Sequence, residues 1–152
     1  MILQNIDELK ENNYPVLIIG SGPAGLSLAL ELEKKNIKTL VIEAGAEEYN
    51  NKSQSFYKIN TEGVALKDIS NSRLRQFGGT SGIWGGWSKP LSDLDFKNFG
   101  LNPNQIKGYQ KKACEILSIE NSFRESVINE DFNQIEFQYS GVRFYKKYFN
   151  QI

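Results

Sequence analysis

The hydrophobic pattern of the first third of the chain predicts a strand, a helix and a second strand. Residues 14–19 form a continuous apolar run that contains β-branched side chains and stops at Gly20. This pattern is typical of a strand buried on both faces of a parallel sheet. Pro23 suits the first turn of a helix, because the amide that proline lacks would be unpaired there. Residues 38–42 predict the second strand, and the helix between the strands has an apolar stripe of Ala24, Leu28 and Leu32.

The pattern is weaker on either side of this unit. Residues 1–13 predict a short amphipathic N-terminal extension, with apolar side chains at helical spacing at Leu3, Ile6 and Leu9. Residues 46–72 are polar and predict mostly loop. Residues 78–88 are rich in Gly, Ser and Trp, and no regular element fits them.

The last third predicts one clear helix. Asn102 and Pro103 are typical of an N-cap followed by proline at the first helical position. An apolar face then predicts a helix of about fifteen residues over 104–118. Residues 137–139 and 142–144 are candidates for short strands.

Composition narrows the possible functions. The chain has 152 residues, 18 Lys and Arg against 18 Asp and Glu, one Cys and no His. The length suits one domain, and the balanced charge argues against nucleic acid as a partner. Without histidine there is no Ser-His-Asp system and no His-ligated zinc or haem. The acidic residues lack the regular spacing of a calcium loop, so no metal site is predicted.

The N-terminal residues show no basic region followed by an apolar run, so no signal peptide is predicted. The longest aliphatic stretch is far too short to span a bilayer. A single Cys cannot form an internal disulfide, which suits a reducing compartment. We therefore expect a soluble cytoplasmic protein without a membrane partner.

A glycine-rich motif lies between the first strand and the helix. Gly20, Ser21, Gly22, Ala24 and Gly25 belong to a G-x-G-x-x-G element in the context that dinucleotide binding requires. The first glycine makes the tight turn, the second lets the backbone approach a pyrophosphate, and the third lets the helix pack on the strand. The alternative is a glycine turn in an ordinary α/β crossover.

An acidic residue supports the dinucleotide interpretation. Glu43 ends the second strand 18 residues after Gly25, where a carboxylate can accept hydrogen bonds from the adenosine ribose. A carboxylate there disfavours a 2′-phosphate, so FAD or NAD is favoured over NADP. The unit thus predicts an α/β, Rossmann-like FAD/NAD(P)-binding fold with a parallel sheet.

A second glycine-rich segment covers residues 73–87. Its paired arginines stand next to a Gly-Gly-Thr-Ser turn, and such groups can surround a diphosphate. By composition alone, a flexible loop with two packed tryptophans, Trp84 and Trp87, is an equally good interpretation. Further along the chain, Cys114 is close to two lysines, but an inert buried thiol is favoured over a reactive one.

Taken together, these segments resemble the glucose-methanol-choline oxidoreductases, a family of FAD-dependent alcohol and sugar oxidoreductases. The similarity rests on segments that occur in the family's order: the turn at 20–25, residues 41–45, residues 75–81 followed by Trp84-Gly85-Gly86, residues 90–96, and the helix of Ile106 and Tyr109. A generic NAD dehydrogenase has no counterpart to residues 75–86.

The resemblance implies that FAD lies extended across the sheet and that the flavin takes a hydride from an alcohol, sugar or polyol. The pyrophosphate would be approached by Gly20, Ser21, Gly22 and Gly25, with Ala24 in the same turn. Glu43, followed by Ala44, would bind the ribose. The diphosphate and the flavin side would be lined by Arg75, Gly79, Thr80 and Ser81.

Two departures from the family limit these expectations. Ile83 stands where some relatives attach the flavin to a histidine, so non-covalent FAD is expected. The family's catalytic base is a histidine near the C-terminus, and this sequence has none. We therefore predict no catalytic residue in this chain and no turnover by the chain alone.

The chain resembles the N-terminal portion of such an enzyme. Residues 14–152 would form a partial FAD-binding domain with an apparently incomplete fold, and the substrate domain and C-terminal catalytic part would be absent. Two alternatives remain open. The chain could be a non-catalytic nucleotide-binding subunit completed by a partner chain, or a fragment of an NAD-linked dehydrogenase that shares only the first motif.

Overall fold

The computed structural model describes residues 6–9, 13–60, 62–63 and 69–149. Ile6–Leu9 forms a 3₁₀ turn, and most of the predicted extension over 1–13 lies outside the described residues. The contacts along the chain form two units. One unit runs up to Trp84 and resumes at Arg143, and the other is 85–142. The prediction of one partial FAD-binding domain over 14–152 stays a prediction.

The first unit begins with the predicted strand, helix and strand, which are confirmed. Strand β1 (Val16–Ile19) leads through a glycine turn to helix α1 (Pro23–Glu33), and strand β2 (Thr39–Ile42) follows. The two strands are parallel and pair without a bulge, from Val16 opposite Thr39 to Ile19 opposite Ile42. The core of this α/β unit is the interface between α1 and β1, where Leu26 and Ile18 are buried.

The prediction that the first strand is buried on both faces is wrong for the described residues. Ile18 is buried, and the ideal Cβ position of Gly25 in α1 lies 3.2 Å from its Cγ2 atom. Leu17 and Ile19, whose side chains alternate to the opposite face, are 55% and 85% exposed. The apolar run therefore identified the strand, but α1 covers only one of its faces.

The stripe predicted for the helix is also wrong. The buried side chains of α1 are Leu26 and Ala29, whereas Leu28 is half exposed. Apolar residues occur on several faces of this helix, so the sequence pattern does not choose among them. The close approach of Gly25 to β1 makes that choice, because it turns the neighbouring Leu26 and Ala29 towards the strand.

Short helical turns follow β2 in the predicted loop over 46–72. Helix α2 (Asn51–Gln54) begins after Asn50, whose side chain accepts a hydrogen bond from the Ser53 amide. Two 3₁₀ turns, Ser55–Tyr57 and Ile69–Asn71, follow among the described residues of this region. A further 3₁₀ turn, Gly79–Gly82, lies in the second glycine-rich segment.

The second unit combines short strands with helices. Strand β3 (Trp87–Ser88) precedes helices α3 (Asp93–Asn98), α4 (Pro103–Ile106) and α5 (Gln110–Leu117). Strands β4 (Glu125–Val127) and β5 (Asn133–Ile135) form an antiparallel pair, and strand β6 (Gln138–Tyr139) pairs antiparallel with β3.

The helix predicted over 104–118 is present but interrupted. Asn102 caps it as expected, since its side chain accepts a hydrogen bond from the Asn104 amide. A 3₁₀ turn at Lys107–Tyr109 separates α4 from α5. Gly108 lies in this turn, where its low helix propensity favours a break.

Helix α3 was not predicted, although it begins with a capping box. The Ser92 hydroxyl accepts a hydrogen bond from the Asp95 amide, and the Asp95 carboxylate accepts one from the Ser92 amide. The hydrogen bonds from Ser92 hold the pKa of Asp95 below its ordinary value.

The chain then returns to the first unit with helix α6 (Phe144–Tyr148). The predicted strand over 142–144 is therefore wrong, whereas that over 137–139 is confirmed at Gln138–Tyr139. Phe144 is fully buried and packs edge-on against Trp84. This contact within the first unit, rather than strand pairing, decides the local structure. No helix among the described residues is long and apolar enough to cross a membrane.

Candidate cofactor site

The glycine turn between β1 and α1 has the geometry that the first motif requires. Gly20 has a φ of +95°, and its amide donates a hydrogen bond to the Ile42 carbonyl at 2.7 Å. A Cβ at Gly25 would lie inside the van der Waals contact distance of the Gly20 carbonyl oxygen. Only glycine therefore lets α1 pack this closely on β1.

Gly22 has a different role, because it borders open space. Its backbone is extended, with φ −66° and ψ 178°, and a Cβ there would meet no atom within 4 Å. It is the N-cap of α1 and has no side chain to accept the first-turn amides. Those amides lack an intrahelical acceptor and carry the positive end of the helix dipole. The exposed Ala24 lies in the same turn, so the chain offers an anion free backbone donors and room to approach.

Glu43 is held by hydrogen bonds at the end of β2. Its Oε2 atom accepts hydrogen bonds from the Ser21 amide at 2.9 Å and the Ser21 hydroxyl at 2.7 Å. Its Oε1 atom accepts one from the Gly45 amide at 2.7 Å. A carboxylate has about four acceptor positions, so the contacts among the described residues leave one on Oε1 that a further donor could use. Ala44, the next residue, is exposed.

The second glycine-rich segment reaches the first motif through Gly78 and Gly79. The Gly78 amide donates a hydrogen bond to the Ser21 hydroxyl at 3.0 Å. Both glycines have positive φ, +80° and +58°. A Cβ on Gly79 would lie 3.2 Å from the Gly22 Cα atom, so the two glycine segments are in close contact beside the amino end of α1.

The same segment also lies along the continuation of β2. Ala46 and Gln76 form an isolated parallel bridge, and the Phe77 amide donates to the Ala46 carbonyl at 2.9 Å. A Cβ on Gly45 would lie 2.5 Å from backbone atoms of Arg75 and Gln76. Gly45 therefore allows the two backbones to approach, and the structure brings the two predicted cofactor segments together.

Arg75 is directed towards α2 and the turn that follows it. Its backbone amide donates to the Gln54 side chain at 3.0 Å, and a guanidinium nitrogen donates to the Ser53 carbonyl at 3.3 Å. The guanidinium also lies 4.6 Å from the centre of the Phe56 ring. The guanidinium has five N–H donors, so these contacts leave several for an anion.

Thr80 and Ser81 use their hydroxyls inside the protein. The Thr80 hydroxyl accepts from the Leu74 amide at 3.2 Å. The buried Ser81 hydroxyl donates to the Gly78 carbonyl at 2.7 Å and accepts from the Phe144 amide at 3.1 Å. These hydroxyls therefore shape the segment, and direct cofactor contact by either residue stays a prediction.

The structure adds two residues that sequence reasoning did not assign to the site. Gln54 is buried, and besides accepting from Arg75 it donates to the Ser70 and Arg73 carbonyls at 2.7 and 2.6 Å. It ties the second segment to α2, but an isolated Gln in a polar stretch carries no sequence signal. Gly45 does have a signal, since it is a glycine three residues after the last residue of a strand.

The other candidates have structural roles. Trp84 packs on Phe144, and the exposed Trp87 packs on Tyr139 in the second unit. Burial, and secondarily the charge of Glu115, raises the pKa of the Cys114 thiol, which agrees with the inert interpretation. Within the part of the chain that the structure describes, no three His, Cys, Asp or Glu side chains form a metal-binding group.

Comparison with known proteins supports the first motif. Residues 13–59 match the model of a protein family described as FAD binding domain. The match covers the glycine turn, Glu43 and α2, and stops before the second glycine-rich segment. No curated protein and no solved structure matches the chain significantly. Residues 13–59 thus support an FAD-binding flavoprotein domain, and FAD is the indicated cofactor.

Proposed function

We propose that this chain supplies the FAD-binding part of an oxidoreductase of the glucose-methanol-choline type. The enzyme would oxidise CH–OH groups of alcohols, sugars or polyols by hydride transfer to the flavin. The family match supports FAD, and the resemblance of residues 75–86 supports the reaction class.

The observation that carries the proposal is the hydrogen bond from the Gly78 amide to the Ser21 hydroxyl. It joins the two glycine-rich segments beside the open amino end of α1. A generic NAD-linked dehydrogenase has no counterpart to this second segment. The contact thus favours an FAD-binding part of a glucose-methanol-choline-type enzyme over a fragment of an NAD-linked dehydrogenase.

Different residues of the site would bind different parts of FAD. The amides at the start of α1 and the open space at Gly22 would take the diphosphate. The remaining acceptor position on Glu43 would take a ribose hydroxyl. When bound, FAD supplies the hydride acceptor.

In the glucose-methanol-choline family the base that removes the hydroxyl proton is a histidine. These 152 residues contain none, so that base would have to lie outside this chain. We therefore propose that the chain alone binds FAD without oxidising alcohols. The substrate, and a cytoplasmic location, stay predictions from the sequence.

The test is titration of the purified chain with FAD and, separately, with NAD. Flavin fluorescence should be quenched to saturation at one equivalent, and NAD at the same concentration should not compete. Competition by NAD at similar affinity would favour the dehydrogenase alternative. Oxidation of an alcohol by the FAD-loaded chain at a normal flavoenzyme rate would contradict the proposed inactivity.

A second measurement addresses the alternative of a subunit completed by a partner chain. The chain would be mixed with candidate catalytic polypeptides, passed through a sizing column and checked for flavin absorbance. Flavin retained only in the mixture would favour the subunit alternative, and retention by the chain alone would favour an independent binding site.

A further inference from the structure

Ser21 was expected to approach the pyrophosphate, but its side chain has other partners. It is completely buried. Its hydroxyl and its amide both contact Oε2 of Glu43, at 2.7 and 2.9 Å. One residue thus supplies two of the three hydrogen bonds that described residues donate to this carboxylate.

The direction of the Ser21 hydroxyl follows from its second partner. The Gly78 amide donates to the Ser21 oxygen at 3.0 Å, and an amide can only donate. The single hydroxyl proton of serine is therefore left for Glu43. Gly78 thus donates to Ser21, and Ser21 in turn donates to Glu43.

We infer that Ser21 is a positioning residue, which orients Glu43 so that Oε1 meets the 2′-hydroxyl of the adenosine ribose. With Oε2 saturated by Ser21, the carboxylate cannot rotate without losing these hydrogen bonds, and its remaining acceptor position is on Oε1. Because the Gly78 amide fixes the direction in which the Ser21 hydroxyl donates, the orientation of Glu43 depends on the second glycine-rich segment. The inference rests on the proposed cofactor site and adds how that site recognises the ribose.

The experiment measures binding of ADP and of 2′-deoxy-ADP to the full chain by calorimetry. The two probes differ only in the hydroxyl that Glu43 would bind. The parent chain should prefer ADP by roughly tenfold, the effect of one hydrogen bond to a charged group. In Ser21→Ala the preference should fall to roughly threefold or less. Glu43→Gln should reduce it similarly, and combining both changes should cause little further loss.

Two buried serines provide matched controls. Ser81 also bridges two segments and contacts Gly78, but it does not contact Glu43. Ser81→Ala should weaken binding of both nucleotides by the same factor, so the preference for ADP should be kept. Ser140 is equally buried in the second unit, where its hydroxyl donates to Leu117 and accepts from Val142. Ser140→Ala should change neither affinity.

The outcomes separate this inference from the proposed function. If the parent chain binds neither FAD nor ADP, the proposed function fails and the inference fails with it. If the chain prefers ADP and Glu43→Gln abolishes the preference but Ser21→Ala does not, the inference alone is wrong. Should Ser21→Ala not fold, Ser21→Cys fills nearly the same space with a weak donor and should also lose the preference. A Ser21→Cys chain with the full preference would overturn the inference.

Discussion

Two glycines of the first motif can be separated experimentally, because the structure gives them different roles. In Gly25→Ala the new methyl group would overlap the Gly20 carbonyl oxygen and lie 3.2 Å from the Ile18 Cγ2 atom. The Gly20 backbone cannot easily move, because its amide is bonded to Ile42. Helix α1 must therefore shift away from β1.

The expected cost follows from this overlap. Forcing an extra methyl group into a packed interface typically lowers the free energy of unfolding by about 1–3 kcal/mol. For a chain of this size each kcal/mol corresponds to roughly 2–4 °C in Tm. Gly25→Ala should therefore melt several degrees below the parent chain even without cofactor.

Gly22→Ala should behave in the opposite way. Gly22 has a backbone conformation that any residue can adopt, and the new methyl group would meet no atom within 4 Å. The free energy of unfolding should change by about 0.5 kcal/mol or less. The methyl group would, however, occupy the space where the proposed diphosphate would approach the α1 amides. Loss of one charged hydrogen bond, about 1.5–3 kcal/mol, would weaken FAD binding by roughly tenfold to a hundredfold.

Thermal unfolding followed by circular dichroism, and FAD titration followed by flavin fluorescence, would be measured for both variants and the parent. The reasoning is refuted if Gly25→Ala melts with the parent chain. It is equally refuted if Gly22→Ala binds FAD with the parent's affinity.

Three further predictions concern other parts of the chain. Arg75→Ala should weaken FAD binding by about 1–3 kcal/mol, because a charged hydrogen-bond donor is lost; unchanged affinity in the same titration would support the NAD alternative. Ile19→Thr should reduce light scattering by the concentrated chain at little cost in Tm, because this side chain is 85% exposed on an apolar sheet face. The carboxyl of Asp95 should titrate below its ordinary pKa because the hydrogen bonds of Ser92 favour its charged form. The resulting stabilisation of α3 should be present above about pH 4, the unfolded carboxyl value, and lost as the pH falls through the lowered pKa. Carbon-13 NMR would measure this, and an Asp95 pKa that stays equally low in Ser92→Ala would contradict the assignment.

The local sequence pattern correctly predicted those secondary-structure elements that depend only on neighbouring residues. The strand β1, the start of α1 at Pro23 and the cap at Asn102 each depend on residues within one turn or one short strand. The same reasoning failed at residues 142–144, where aromatic and β-branched side chains suggested a strand. Phe144 instead packs on Trp84, which lies far away in the sequence.

Burial was harder to predict than secondary structure. An apolar run cannot say how many layers cover a strand, and β1 has its Leu17 and Ile19 exposed. A helix with apolar residues on several faces does not reveal which face packs. In α1 the contact of Gly25 with β1 settles this.

The sequence by itself determined the glycine turn, the carboxylate at the end of β2 and the second glycine-rich segment, because each is a short motif with a local physical requirement. Only the tertiary structure decided how they are connected. Ser21 and Gly78 lie 57 positions apart, and a hydrogen bond over that distance leaves no periodic pattern in the sequence. It forms because β1 and β2 pair and because Gly45 lets the second segment approach β2. That contact links the second glycine-rich segment to the Ser21 hydroxyl, which in turn donates to Glu43.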